Sequence, residues 1–228
     1  VPEDFGVMTA AEKIAPIDAA KNEVDSTLEL YPYPIGSSFI LMVLHSNSQE
    51  GGSDDILKRL RDPEARKQVA QSIDGYDARP LDLMVFTNLP NQPELEGMSL
   101  VDIAAMQGKS AGEVVCDLLL TENLQVGFRG APPISVAVTR ALARDQMEYL
   151  ARPDYMVGSD QIPVGRLPHP RAYGTFPRFL GRFLRGMPEV MSLETMVQRI
   201  TDNPARRFGL TDRGRVQAGY FADLVVFD

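Results

Sequence analysis

Residues 155–178, YMVGSDQIPVGRLPHPRAYGTFPR, change character within a few positions. Tyr155 to Val157 is an apolar run short enough to be a buried strand, and Gly158, Ser159 and Asp160 then turn the chain polar. A carboxylate directly after a buried strand, followed by a loop rich in proline and arginine, fits the ligand-binding end of an α/β sheet, where strand ends and loops converge. Two readings of Asp160 stand at this point: a chemical group at a strand end, or a cap for the following turn.

The chain upstream repeats the design. Ser135 to Leu150 has the spacing of a helix carrying Val138, Leu142 and Tyr149, and it leads directly into the strand before Asp160. In Ser26 to Pro34, Thr27, Leu28, Leu30 and Tyr31 have strand character and Pro32 ends the run; a helix over 9–22 precedes it. The loop Ile35-Gly36-Ser37-Ser38 offers two hydroxyls, either to a ligand oxygen or simply to a turn. Between these units, helices are predicted from Asp54 to Arg61 and, after an Asp62 cap and Pro63, to about Ser72. Leu81 to Phe86 and Gln125 to Gly130 read as strands, while Ser99 with Asp102 and Ser110 with Glu113 mark two further helix starts. Downstream, Phe176 to Arg185 and a helix from Ser192, stopped by Pro204, precede a β-type ending in Leu224 to Phe227.

About four strand-like runs alternating with helices predict an α/β fold with a mainly parallel sheet. Four strands are too few for a closed eight-stranded barrel, and a half-barrel would leave two bare edges. A complementary half outside this sequence is therefore expected. Residues 1–208 are expected to form the barrel part and 209–228 part of a small β domain.

Composition narrows the classes. With 44% hydrophobic and 24% charged residues, the 228 residues are ordinary for a globular chain. A net charge of -8 argues against a general nucleic-acid or anionic-membrane surface. No run reaches membrane-spanning length, and the first residues lack a secretory pattern, so the expected compartment is cytoplasmic. Against this acidic background Arg166, Arg171, Arg178, Arg182 and Arg185 follow one another with no acidic residue between them. They make either a local field for an anionic ligand or a set of partners for acidic neighbours. Cys116, the single cysteine, lies among Val114, Val115, Leu118 and Leu119 as a core residue. With only His45 and His169 beside it, a zinc site of the His/Cys type needs carboxylates or ligands from elsewhere.

Four blocks now stand out: Tyr31-Pro32-Tyr33-Pro34 with Gly36-Ser37-Ser38; LKRLRDP from Leu57 to Pro63; Gly158-Ser159-Asp160 with HPRAYGTFPR from His169 to Arg178; and DRGR from Asp212 with GYFADLVVFD from Gly219. In type, order and spacing they resemble the C-terminal half of the N-acyl-D-amino-acid deacylase (D-aminoacylase) family of the amidohydrolase superfamily. The resemblance implies part of a TIM-like (β/α)8 barrel with the start of a small C-terminal β appendage. It also implies zinc-dependent hydrolysis of N-acyl-D-amino acids. Asp160 then sits at the metal and moves the proton, Tyr31 stabilises the oxyanion, and Ser37 and Ser38 help hold the substrate. His169 and Arg171 are assigned to the substrate carboxylate. The metal ligands on earlier strands lie outside this chain, so it is expected to be inactive without an N-terminal half, whether a segment of the same protein or a separate chain. Opening of a cyclic amide and a non-catalytic binding subunit are the alternatives.

Overall fold

The computed structural model describes residues 10–75, 81–131 and 135–227. Thr9 and Asp228, included above in the first helix and the last segment, lie outside that set. The chain forms two compact units, Val1–Pro34 with Pro133–Gln161 and Pro170–Asp228, and Ile35–Pro132 with Ile162–His169.

In the first unit, α1 (Ala10–Ala20) leads to β1 (Glu29–Leu30), and α6 (Val136–Leu150) leads to β5 (Met156–Val157). Ser135 starts α6 by accepting a hydrogen bond from the Val138 N–H. β1 and β5 pair in parallel, Glu29 opposite Met156 and Leu30 opposite Val157. Parallel neighbours need a crossover, and α6 supplies it, so β1, α6 and β5 make a βαβ element whose first connection carries the whole second unit in sequence. A helical stretch follows: α7 (Arg171–Arg178), a π-helical segment over Phe179–Phe183 and α8 (Leu184–Gly186). Pro177 removes one backbone donor just before the helix widens. Ile14, Met147, Leu150, Tyr155, Val157, Phe179, Phe183, Met191 and Met196 form the buried core.

The second unit is bounded by its caps. After α2 (Ser53–Arg61), Asp62 accepts from the Ala65 N–H at 2.8 Å and Pro63 opens α3 (Pro63–Asp74). Ser99 caps α4 (Leu100–Gln107), and Ser110 with Glu113 closes a reciprocal capping box on α5 (Ala111–Thr121). β2 (Ser37–Phe39), β3 (Met84–Asn88) and β4 (Gly127–Gly130) form a three-stranded sheet in the order β2-β4-β3. Phe86, Leu89, Leu100, Ile103, Val115, Leu119 and Val126 are among its fully buried core.

Four expectations are corrected. The larger sheet is antiparallel in both pairings, so the parallel sheet is only two strands wide among the described residues. An apolar run shows that a strand is buried but not which way its neighbour runs. Ser37 and Ser38 are on a strand rather than in a loop, opposite Arg129 and Phe128. Pro204 does not end the helical run: α9 (Leu193–Ile200) stops earlier, and α10 (Asp202–Arg207) holds Pro204 in its first turn, where no donor is lost. The β-type ending forms no strand either; Val225 and Val226 are 83% and 97% exposed, with no strand edge beside them to pair with among the described residues. No closed barrel is present in the described residues.

Candidate active site

β1 and β5 end side by side, and each is followed by a polar group. Tyr31 comes directly after Leu30, and Asp160 follows Val157 across Gly158 and Ser159. At Gly158 a Cβ would meet the end of the exposed Glu29 side chain. Asp160 has φ 45°, the left-handed region that few residues other than glycine enter and that aspartate tolerates better than most. Its carboxylate is more than half exposed, and Oδ2 accepts from Arg171 Nη1 at 2.9 Å.

Arg171, the first residue of α7, is almost completely buried. Its guanidinium lies 4.6 Å from the centre of the Tyr31 ring. A cation on an aromatic face and a carboxylate on its edge hold the guanidinium plane between two strand ends. Thus Tyr31, Asp160 and Arg171, distant in sequence, form one cluster.

That cluster has a support not foreseen from the residues. Gln146 of α6 donates from Nε2 to the carbonyl of Tyr31 at 3.1 Å and to that of Tyr33 at 3.2 Å. It ties the Tyr31-Pro32-Tyr33 backbone to the crossover helix. Tyr33 packs so closely on α7 that a Cβ at Gly174 would run into its hydroxyl, and the Arg178 guanidinium stacks 4.7 Å from its ring centre. A glutamine on an amphipathic helix carries no signal of such a role; Tyr33 stood in a quoted block without one.

Ser37, Ser38 and His169 belong to the second unit. Ser37 Oγ donates to the Phe128 carbonyl at 2.9 Å, an ordinary cross-strand bond. His169 is buried, at the end of a loop that passes Thr87 at Gly165. There φ is 79° and a Cβ would collide with the Thr87 carbonyl. Among the described residues no group of three or more His, Cys, Asp or Glu gathers as metal ligands. Asp160 offers one carboxylate, and Cys116 is a fully buried core thiol. No helix among the described residues is long and apolar enough to cross a membrane.

A family model described as "Amidohydrolase family" matches residues 102–228. A D-aminoacylase of Alcaligenes xylosoxydans xylosoxydans is 43% identical over 136 residues, 60% of this chain and 25% of that protein. An N-acyl-D-glutamate deacylase of the same organism is 34% identical across 100% of this chain and 37% of its own length. Among solved structures, the N-acyl-D-glutamate deacylase of Bordetella bronchiseptica, complexed with zinc and a phosphonate inhibitor, superposes with a TM-score of 0.64 at 28% identity. That match covers 98% of this chain and 37% of the other. The chain therefore spans well under half the length of these proteins, 37% where the whole of it matches.

Proposed function

The chain belongs to the amidohydrolase family, and from that premise we propose that it forms part of a metal-dependent enzyme that hydrolyses the amide bond of N-acyl-D-amino acids, with Asp160 carrying the proton. The observation that carries this reading is the joining of Tyr31, Arg171 and Asp160 at the ends of two paired parallel strands. The similarity to D-aminoacylase and N-acyl-D-glutamate deacylase supplies the substrate class. On the same ground, β1 and β5 are two adjacent staves of a (β/α)8 barrel completed by residues outside this chain.

Asp160 takes a proton from water as the water oxygen bonds to the amide carbonyl carbon. It returns the proton to the amide nitrogen as the C–N bond breaks, since an unprotonated amine anion is a very poor leaving group. The Tyr31 hydroxyl donates to the oxygen that becomes negative in between. Arg171 holds Asp160 in place from one side, and its contact with a substrate carboxylate is assigned on the strength of the sequence blocks. Ser37, Ser38 and His169 are assigned to substrate contact on the strength of the sequence blocks alone.

Zinc is the metal we assign, after the relative that holds it. A bound divalent ion acidifies water and polarises a carbonyl oxygen. The described residues bring a single carboxylate to the cluster, so they do not make a metal site by themselves. The remaining ligands are assigned to residues outside the chain, whether on the same polypeptide or another.

The test joins this chain to that remainder and follows release of free amine from N-acetyl-D-glutamate, N-acetyl-D-methionine and their L-enantiomers. Hydrolysis selective for the D-forms is expected, and Asp160→Ala should lower kcat by about a thousandfold, within the usual span for a positioned proton carrier. An Asp160→Ala protein within about tenfold of the parent would remove Asp160 from that role. Equal turnover of both enantiomers would overturn the substrate class. Comparing the acidic with the neutral D-substrate at two ionic strengths tests whether the arginines select for charge.

A further inference from the structure

Two arginine pairs face one pocket in the first unit. Arg140 and Arg144 stand four residues apart on α6; Arg178 and Arg182 stand four apart where α7 runs into the π-helical segment. All four line a cavity of about 430 Å³ whose apolar wall includes Phe183 and Met187. Like charges at this spacing repel on a helix. Only Arg144 is neutralised, by Glu148 at 3.1 Å and Glu189 at 3.5 Å; among the described residues Arg140, Arg178 and Arg182 have no carboxylate within ion-pair distance. In a chain of net charge -8, three cations left facing one cavity need an explanation.

Arg178 makes the strongest case. Its guanidinium is packed between the rings of Tyr33 and Phe183, 4.7 and 5.5 Å from their centres. Its Nε is buried without a hydrogen-bond partner among the described residues. Burial, and then the like charge of Arg182, push its pKa below the usual arginine range, so this setting disfavours the charge that arginine nevertheless keeps. An incoming oxyanion would relieve the repulsion and give these donors an acceptor.

We propose that this pocket is a binding site, separate from the strand-end cluster, for a small molecule with an oxyanion head and a compact apolar body. The head, a carboxylate or phosphate, is held by Arg140, Arg178 and Arg182, and the body lies against Phe183 and Met187. Gln146 also lines the pocket while holding the Tyr31 and Tyr33 carbonyls, and Arg178 stacks on Tyr33. Occupancy therefore adjusts the position of Tyr31, a consequence that rests on the role given to Tyr31 above.

The test is calorimetric titration of the full chain, at fixed ionic strength, with hexanoate, hexyl phosphate, acetate, inorganic phosphate and hexylammonium. One-to-one binding of hexanoate or hexyl phosphate is expected, and which binds identifies the head. Arg140→Gln with Arg182→Gln, both at exposed positions, should weaken it about tenfold or more, the worth of one lost charged hydrogen bond. Arg213→Gln, equal in charge change per site but outside the pocket, should leave it unchanged. Circular dichroism of each variant separates lost binding from lost fold. The proposal falls if neither hexyl anion binds, or if hexylammonium binds as well. It also falls if acetate and inorganic phosphate bind as tightly as their hexyl forms, or if the double variant binds like the parent. Because binding is read directly, the site can fail while the hydrolase reading stands, and the reverse.

Discussion

Asp160 is placed by its backbone as much as by its charge. A left-handed φ at a non-glycine residue is a local cost, tolerable here because an aspartate side chain can settle in that region and because Arg171 waits beside it. The two readings left open by the sequence, a chemical group at a strand end and a cap for the following turn, both concern this residue, and the geometry adds its ion pair with Arg171. At Cys116 the environment acts on the proton itself. Burial pushes the thiol up to about 11, with Arg66 opposing and Asp117 and nearby carboxylates adding to it. The folded protein then keeps the proton over a range in which the unfolded chain has released it. That linkage makes folding less favourable as pH climbs from about 9 toward 11. Urea unfolding at pH 8 and pH 10 should show the parent losing more stability than Cys116→Ala over that interval. Alkylation of Cys116 at pH 8 should be negligible until denaturant is added. Fast labelling of the native chain would contradict this account.

At the scale of elements, the caps were legible and the pairings were not. Asp62-Pro63, Ser99, Ser110 with Glu113, Ser135 and Ser192 each mark a helix start because a side-chain oxygen must satisfy an exposed N–H within a few residues. Strand direction is set by distant partners, so the antiparallel β2-β4-β3 sheet left no local trace. Close helix packing is equally silent: α5 meets α3 at Gly112, where a Cβ would collide with the Ala70 carbonyl. Gly112→Ala gains helix propensity yet should destabilise the chain by about 1–3 kcal/mol, because overpacking against backbone cannot relax cheaply. Chemical denaturation measures it, and an unchanged midpoint would mean the helices can part. The last helix, α10, anchors the segment that follows it through Asp202, whose carboxylate accepts from Arg215 at 2.6 and 3.1 Å. The Arg215 hydrogen bond, aided by Arg206 and opposed by burial, holds this carboxyl below the usual carboxylate range. Its contribution is present above the ordinary aspartate value and fades as pH falls through the lower folded one. Asp202→Asn at pH 7 should speed tryptic cleavage after Arg213 and Arg215 several-fold, an effect read by mass spectrometry. Unaltered cleavage would detach the carboxylate from the anchoring.

At the scale of the whole molecule, what the sequence blocks imply and what this chain holds diverge at the metal. Asp160 and Tyr31 could be read as strand-end groups, since each follows an apolar run that closes at Gly or Pro. The burial of Arg171 and the grip of Gln146 could not, because both depend on where β1, α6 and β5 meet. Zinc asks for more than one carboxylate. Structural and catalytic sites use three or four ligands, and the described residues gather no such set. The chain spans 37% of the relative that matches it throughout, and its cluster offers one group where a site needs several. Titrated alone with zinc, the chain should show no saturable site below about 10 µM, and a chelator should leave its thermal midpoint unchanged, because an ion that binds only the folded form would raise that midpoint. With the chain joined to the remainder that the proposed function assigns to it, the same chelator should lower the midpoint and stop hydrolysis together. A tight zinc site on the chain alone, lost with Asp160→Ala, would place the ligands within these 228 residues and end the case for an external set.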